Sequence, residues 1–260
     1  MGTRSRLLIG SVNTTLRRAL GVRRPHVLIA CMPKSASTFV TDVLAEMPGM
    51  RRAHLSWTYG AREQVLDVVQ MARFDLSAYF AQHHVRYSGH VAEAIAEYGL
   101  TPVVLTRNLF DVVASYRDHI RNESTESPII PLGPEHAALP DAELEDLIAD
   151  LIAPWYISFY VGWRNVEALH VTYDQVRTAP ADVIGEICSR ARIRVEASAV
   201  DRAIQAARTK SHRFNKGVAG RGQAISPQAR ARIASFARHF PDIDFSPIGI
   251  PRWESGPLKS

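Results

Sequence analysis

The sequence predicts an α/β fold: a single domain with a central parallel sheet flanked by helices. Three stretches predict it. His26–Cys31 is an apolar run followed by a polar turn and then by Phe39–Met47 at helical spacing. Pro102–Thr106 leads in the same way into the helix that starts at Leu109, and Leu169–Tyr173 leads into Ala181–Ser189. Short continuous apolar runs suit strands buried on both faces. Strands that alternate with helices imply parallel pairing.

Other stretches fill in the rest. Helices are expected at Glu63–Ala72, Val91–Tyr98, Asp201–Arg208 and Pro227–His239, with a longer one over Asp141–Trp163 that Pro154 should kink. Residues 121–140 are rich in Pro, Ser and Gly and read as a loop. No internal repeat is present.

Composition narrows the function classes. The chain has 260 residues, 46% hydrophobic and 22% charged, which suits one globular core and argues against a disordered, collagen-like or coiled-coil protein. No window reaches the ~18 consecutive apolar residues of a membrane span. Two cysteines, Cys31 and Cys188, cannot form a disulfide framework and lack metal-ligand spacing, so reduced thiols, a cytoplasmic location and no metal are expected.

The net charge of +5 suggests a nucleic-acid binder, but its distribution argues against one. No acid precedes Asp42, whereas Arg4, Arg6, Arg17, Arg18, Arg23, Arg24 and Lys34 all do. After residue 41 acids slightly outnumber bases, so the basic character is a local N-terminal feature. Leu8, Val12, Leu16 and Leu20 recur every four residues in that segment. Residues 1–24 are therefore expected to be a basic helical segment, and 25–260 the domain. The segment either packs on the domain or frays, or it makes a weak contact with an anionic membrane surface.

Two strand ends carry the candidate chemistry. Pro33-Lys34-Ser35-Ala36-Ser37-Thr38 joins the first strand to a helix through small residues. Backbone N–H groups at such a turn attract an anion, Lys34 adds a positive charge, and Ser37 and Thr38 add hydroxyls. The loop lacks the G-x-x-x-x-G of a Walker A loop. Thr106-Arg107-Asn108 ends the second strand, with Ser115 on the following helix. Arg107 as a fork and Ser115 as a donor can share one phosphate. The alternative is an Arg107–Asp111 pair that stabilises the helix start.

Met32–Phe39 resembles the 5′-phosphosulfate loop of the sulfotransferases, written P-K-S-G-T-T-W. Val104–Tyr116 resembles their 3′-phosphate motif, R-N-x-x-D-x-x-x-S-Y. Val171-Thr172-Tyr173-Asp174 is similar to their Y-E-D segment, whose tyrosine lies near the adenine. Phe214–Gly220 looks like the late R-K-G-x-x-G loop. The resemblance spans roughly residues 26–222. It implies a P-loop NTPase-like sulfotransferase fold and the donor 3′-phosphoadenosine 5′-phosphosulfate (PAPS), with no metal.

Carried over, Lys34 contacts the bridging oxygen and stabilises the leaving phosphate. Ser35, Ala36, Ser37, Thr38 and Phe39 cradle the 5′-phosphate. Arg107, Ser115, Asn215, Lys216 and Gly217 hold the 3′-phosphate, and Tyr173 lies near the adenine. The family's histidine base sits in a K-T-H segment, where this chain has Gln82-His83-His84. His84, 23 residues before Arg107, is the expected base. His83, His90 and Glu63 compete for that role.

Four departures stand out. Gln82 replaces a lysine, for which Arg86 is a substitute. Ala36 replaces a glycine and must accept its backbone angle. Phe39 replaces a tryptophan, with stacking on the adenine retained. Asn215 replaces an arginine, for which Arg213 or Arg221 compensates. His54, Trp57 and Tyr59 are candidates to line the acceptor site, and the aromatic cluster of Trp155, Tyr156, Phe159, Tyr160 and Trp163 is expected to be core, with lining of the acceptor pocket as the alternative.

The expected activity is transfer of a sulfuryl group from PAPS to an acceptor hydroxyl or amine. A P-loop kinase-like phosphotransferase and a catalytically degenerate nucleotide-binding protein are the alternatives. Neither acceptor identity nor oligomeric state is legible.

Overall fold

The computed structural model describes residues 12, 14–16, 19–21, 24–56, 64–127, 129–210 and 220–252. Its elements run β1 (His26–Cys31), α1 (Ser37–Ala45), β2 (Arg51–Arg52), α2 (Val68–Phe74), β3 (Tyr79–His83), α3 (Gly89–Tyr98), β4 (Thr101–Thr106) and α4 (Leu109–Asn122). They continue α5 (Pro134–Ala137), α6 (Asp141–Leu151), α7 (Ala153–Trp163), β5 (Leu169–Thr172), α8 (Tyr173–Thr178), α9 (Pro180–Arg190), α10 (Ala197–Lys210) and α11 (Pro227–Ser235), with three short 3₁₀ turns after Gly220.

The five strands form one parallel sheet in the order β2-β3-β1-β4-β5. This bears out the α/β expectation. Strand alternation divides the apolar residues between two cores. Leu28, Ala30 and Met32 face the core built with α3, α4, α6 and α7. Val27, Ile29 and Cys31 face the core built with α1, α9 and α10. Burying side chains of the size of Leu28 or Ile29 stabilises the fold by roughly 1.5–3 kcal/mol each.

Several elements differ from the expectation. β3 lies next to β1 near the middle of the sheet, yet its sequence Tyr-Phe-Ala-Gln-His is too polar at its end to read as a buried strand. The helix expected at Glu63–Ala72 spans Val68–Phe74, because the Asp67 carboxylate caps it by accepting from the N–H groups of Val69 and Gln70. The long helix over 141–163 is two helices that meet at Ile152, with Pro154 in the first turn of the second. The loop expected over 121–140 holds the short helix α5.

β1 sits between β3 and β4, so the connections that leave β1 and β4 diverge to opposite sides. In open α/β sheets the crevice beyond the strands' carboxyl ends at such a point is where ligands bind. The loops after β1, β3, β4 and β5 all open there. No helix among the described residues is long and apolar enough to cross a membrane.

Candidate active site

The loop after β1 is held by its carbonyls. Met32 O accepts from the Ser35 hydroxyl at 2.6 Å. Pro33 O accepts from the buried Tyr156 hydroxyl at 2.9 Å, and Lys34 O accepts from Arg107 Nη1 at 2.9 Å. A trans peptide points its N–H opposite to its C=O. No described peptide bond is cis, so anchoring the carbonyls of Pro33 and Lys34 in the body turns the N–H groups of Lys34 and Ser35 toward the crevice. The first N–H groups of α1 point the same way and have no side-chain cap, since Ala36 occupies the N-cap position. The result is a concave set of backbone donors at a helix N-terminus, suited to a phosphate.

This shape carries strain. Lys34 and Ala36 have φ of 67° and 68°, the left-handed region that non-glycine residues avoid. The demand expected at Ala36 is present, and Lys34 shares it. The hydroxyl of Ser35 is spent on Met32 O, so this residue offers its backbone and not its side chain. Thr38 is exposed, whereas the Phe39 ring is only 1% exposed within the core under α1. The stacking expected of Phe39 on an adenine is therefore corrected: its ring fills the core, because the β1-facing side of α1 needs an apolar residue there.

The junction after β4 is built differently. Asn108 caps α4 through Oδ1, which accepts from the N–H groups of Phe110 and Asp111. The Asp111 carboxylate accepts from the backbone N–H of Gly220 at 3.1 Å and of Gly222 at 2.7 Å. The alternative Arg107–Asp111 pair is thus not what the structure contains. Asp111 instead fixes the point at which the chain emerges from residues 211–219. Gly222 fits there because a Cβ would meet the Cβ and carbonyl carbon of Phe110 and the backbone nitrogen of Asp111 at 2.4–2.7 Å. Ser115 lies one helical turn beyond Asp111, on the same side of α4.

Arg107 lies where the two junctions meet. β4 and β5 pair Thr106 with Thr172, so Arg107 and Tyr173 follow side by side. The guanidinium stacks over the Tyr173 ring at 4.0 Å. Arg107 is 5% exposed, makes no ion pair with a carboxylate among the described residues, and leaves Nε buried without a partner. Burial lowers its pKa below the ordinary arginine value; Tyr173, Asp111 and Tyr156 nearby oppose this without cancelling it, and Arg221 adds to it. Arg221 itself pairs with Asp118.

Beside the loop stands His84. Its Nδ1 lies 2.9 Å from the carbonyl oxygen of Cys31 and 3.4 Å from the Cys31 sulfur. A carbonyl only accepts, so Nδ1 carries the hydrogen and Nε2 keeps its lone pair. The main-chain N–H of His84 donates to Gln64 Oε1 at 2.8 Å. Burial opposes the charged imidazole, but the contacts with Cys31 outweigh it and raise the pKa above the ordinary value.

The competing histidines are committed elsewhere. His83 is buried, accepts from the Leu55 N–H at 3.1 Å, and has its pKa lowered to about 3 by burial, then by His84 and His54. His90 Nε2 donates to the carbonyl of Leu66 at 2.7 Å. His54 is exposed just after β2, and its pKa is lowered by burial and by Arg52. Gln82 Nε2 donates to the Ser37 hydroxyl at 2.9 Å, which ties β3 to the first residue of α1. Arg86 reaches Ser158 on α7.

Asn215, Lys216, Gly217, Arg213, Glu63, Trp57 and Tyr59 lie outside the described residues. Among the described residues no group of His, Cys, Asp and Glu could hold a metal ion. Tyr156 is the residue that sequence reasoning missed. It was expected to pack or to line the acceptor pocket, and it also holds the loop from 123 residues away. No spacing signal links such distant positions.

No protein-family model matches the chain, and no curated protein does. Solved structures are similar, and two of them illustrate the likeness. The crystal structure of mouse sulfotransferase SULT7A1 complexed with PAP matches with a TM-score of 0.59 at 14% identity, over 90% of this chain and 88% of that chain. The structure of retinol dehydratase in complex with androsterone and inactive cofactor PAP matches with a TM-score of 0.54 at 10% identity, over 90% and 88% of the two chains. At such identities the likeness lies in the fold: this chain has the sulfotransferase fold, with its crevice at the ends of β1, β3, β4 and β5.

Proposed function

We propose that the protein is a sulfotransferase that moves a sulfuryl group from PAPS to an acceptor hydroxyl, or less readily an amine. The observation that carries this reading is Arg107, a buried arginine without a carboxylate partner among the described residues, whose one hydrogen bond grips the anion-binding loop. Such a group is costly to bury unless an anion joins it. Both solved neighbours described above were crystallised with PAP, the desulfated form of the donor.

In this reading the N–H groups of Lys34, Ser35, Ser37, Thr38 and Phe39 receive the 5′-phosphate, and Lys34 faces the bridging oxygen. Arg107 and Ser115 hold the 3′-phosphate together with Asn215, Lys216 and Gly217. The two ends of that late segment favour this: α10 stops at Lys210, and Gly220 is fixed on Asp111 beside Ser115. Tyr173 keeps the Arg107 fork flat. The acceptor oxygen attacks sulfur, the bond from sulfur to the 5′-phosphate oxygen breaks, and the acceptor proton passes to His84 Nε2. The leaving phosphate keeps the electron pair, and backbone donors and Lys34 stabilise its charge. No step calls for a metal. The two cysteines are both free and buried, which supports a cytoplasmic setting.

Calorimetric titration with PAP against ATP-magnesium, on wild type and Arg107→Ala, tests the reading. Wild type should prefer PAP. The variant should lose about 1.5–3 kcal/mol, roughly ten- to a hundredfold in affinity. Preference for ATP-magnesium would point to a P-loop phosphotransferase and overturn the proposal.

A further inference from the structure

Among the described residues that precede the domain, three large apolar side chains are turned to solvent. Residues 12, 14–16 and 19–20 are helical, and Val12, Leu16 and Leu20 fall on one face at intervals of four. They are 54%, 43% and 67% exposed, and they are three of the six exposed large hydrophobic side chains among the described residues. Thr14, on the opposite side of the helix, is half-buried with its hydroxyl oxygen out of solvent. An apolar stripe turned away from the body of its own chain calls for a cover.

Charge tells what the cover is. Residues 1–24 contain six arginines and no acid, and the first acid of the chain is Asp42. The partner must therefore offer negative charge and apolar matter together. A nucleic acid offers the first without a bed for Val12, Leu16 and Leu20. A second copy offers an apolar stripe but brings the same positive charges against it. The surface of an anionic phospholipid bilayer offers both. We infer that residues 1–24 are an interfacial anchor whose Val12-Leu16-Leu20 face enters the headgroup boundary of an anionic membrane while the arginines engage the lipid phosphates. The anchor is peripheral, and it does not depend on the donor-site reading.

Co-sedimentation of the full chain with vesicles tests it. The chain should bind mixed phosphatidylcholine–phosphatidylglycerol vesicles, bind pure phosphatidylcholine vesicles far less, and release as salt rises. A Leu16→Asp/Leu20→Asp double variant should lose about tenfold or more in vesicle affinity, with its thermal unfolding midpoint unchanged. An Arg17→Glu/Arg18→Glu variant should lose as much, because each arginine near such a surface contributes about fivefold. Absence of phosphatidylglycerol-dependent binding overturns the inference, and so does binding that survives both variants. Concentration-dependent dimers in the ultracentrifuge that vanish with the Leu variant would assign the face to a second copy instead.

Discussion

The two junctions at the centre of the sheet do related work by opposite means. After β1 the site is made of backbone: Ala36 offers α1 no cap, Lys34 and Ala36 are strained, and the carbonyls are gripped by residues from other elements. After β4 the backbone is satisfied within the junction. Asn108 caps the helix, Asp111 grips Gly220 and Gly222, and Arg107 brings a buried positive charge to the junction. The first junction is open to a ligand because no side chain caps α1. Its shape therefore depends on distant residues. The second is locally closed and delivers one side chain. Arg107 joins them, because its Nη1 holds the Lys34 carbonyl of the first.

Neither junction accepts a proton, so removing His84 should separate chemistry from binding. His84→Gln is expected to lower turnover by about 10²–10⁴ with PAP affinity retained. Steady-state rates beside calorimetry check this. Unchanged turnover would favour a degenerate binding protein. The pH profile sharpens the test. With its pKa raised, His84 is protonated and inactive as a base below that value. The rate should therefore climb with pH through a midpoint above the ordinary histidine value of about 6.5, and the climb should vanish in the variant.

Arg107→Lys should break the link between the junctions while keeping the charge. A lysine cannot reach the Lys34 carbonyl and an anion with one planar fork, nor stack flat on Tyr173. Donor affinity should fall about tenfold or more, close to the loss in Arg107→Ala. Full rescue by lysine would mean that charge alone matters.

Tyr156→Phe tests the dependence of the first junction on distant residues. It removes the donor to Pro33 O and leaves a buried carbonyl unpaired, at about 1–3 kcal/mol. Thermal unfolding should shift down by several degrees, and PAP should bind several-fold more weakly. A loss of stability with affinity intact would mean that the loop holds its shape without Tyr156.

The same contrast explains what was legible in the sequence. β1 and β4 were readable because central strands buried on both faces are continuous apolar runs. β3, also central, was not, since it ends in Gln82 and His83, whose Nε2 atoms pair with Ser37 and with the Leu55 N–H from elsewhere in the chain. The Arg107 side of the site was legible because side chains carry it. The grip of Tyr156 on Pro33 and of Asp111 on Gly220 and Gly222 joins side chains to distant backbone, and backbone groups leave no mark in a sequence. Ala36 was legible as a demand on conformation, and Lys34, which bears the same strain, was not.

The smallest expected effect is also the most direct comparison, because one operation on the two N-caps should have opposite signs. At Ala36 the left-handed backbone costs an L-residue about 1–2 kcal/mol. Ala36→Gly removes that strain and returns about 0.4–1 kcal/mol through the freer unfolded chain. The net is roughly 0–1.5 kcal/mol of added stability, with the N–H array unchanged and PAP binding retained. At Asn108 the cap is a side chain with two N–H partners. Asn108→Ala should lose about 0.5–2 kcal/mol and bring the orphan donors of α4 into the open. Denaturant titration of both variants measures the signs. If Ala36→Gly destabilised the protein as Asn108→Ala does, the left-handed turn would not be a strained feature, and the contrast between the junctions would lose its energetic basis.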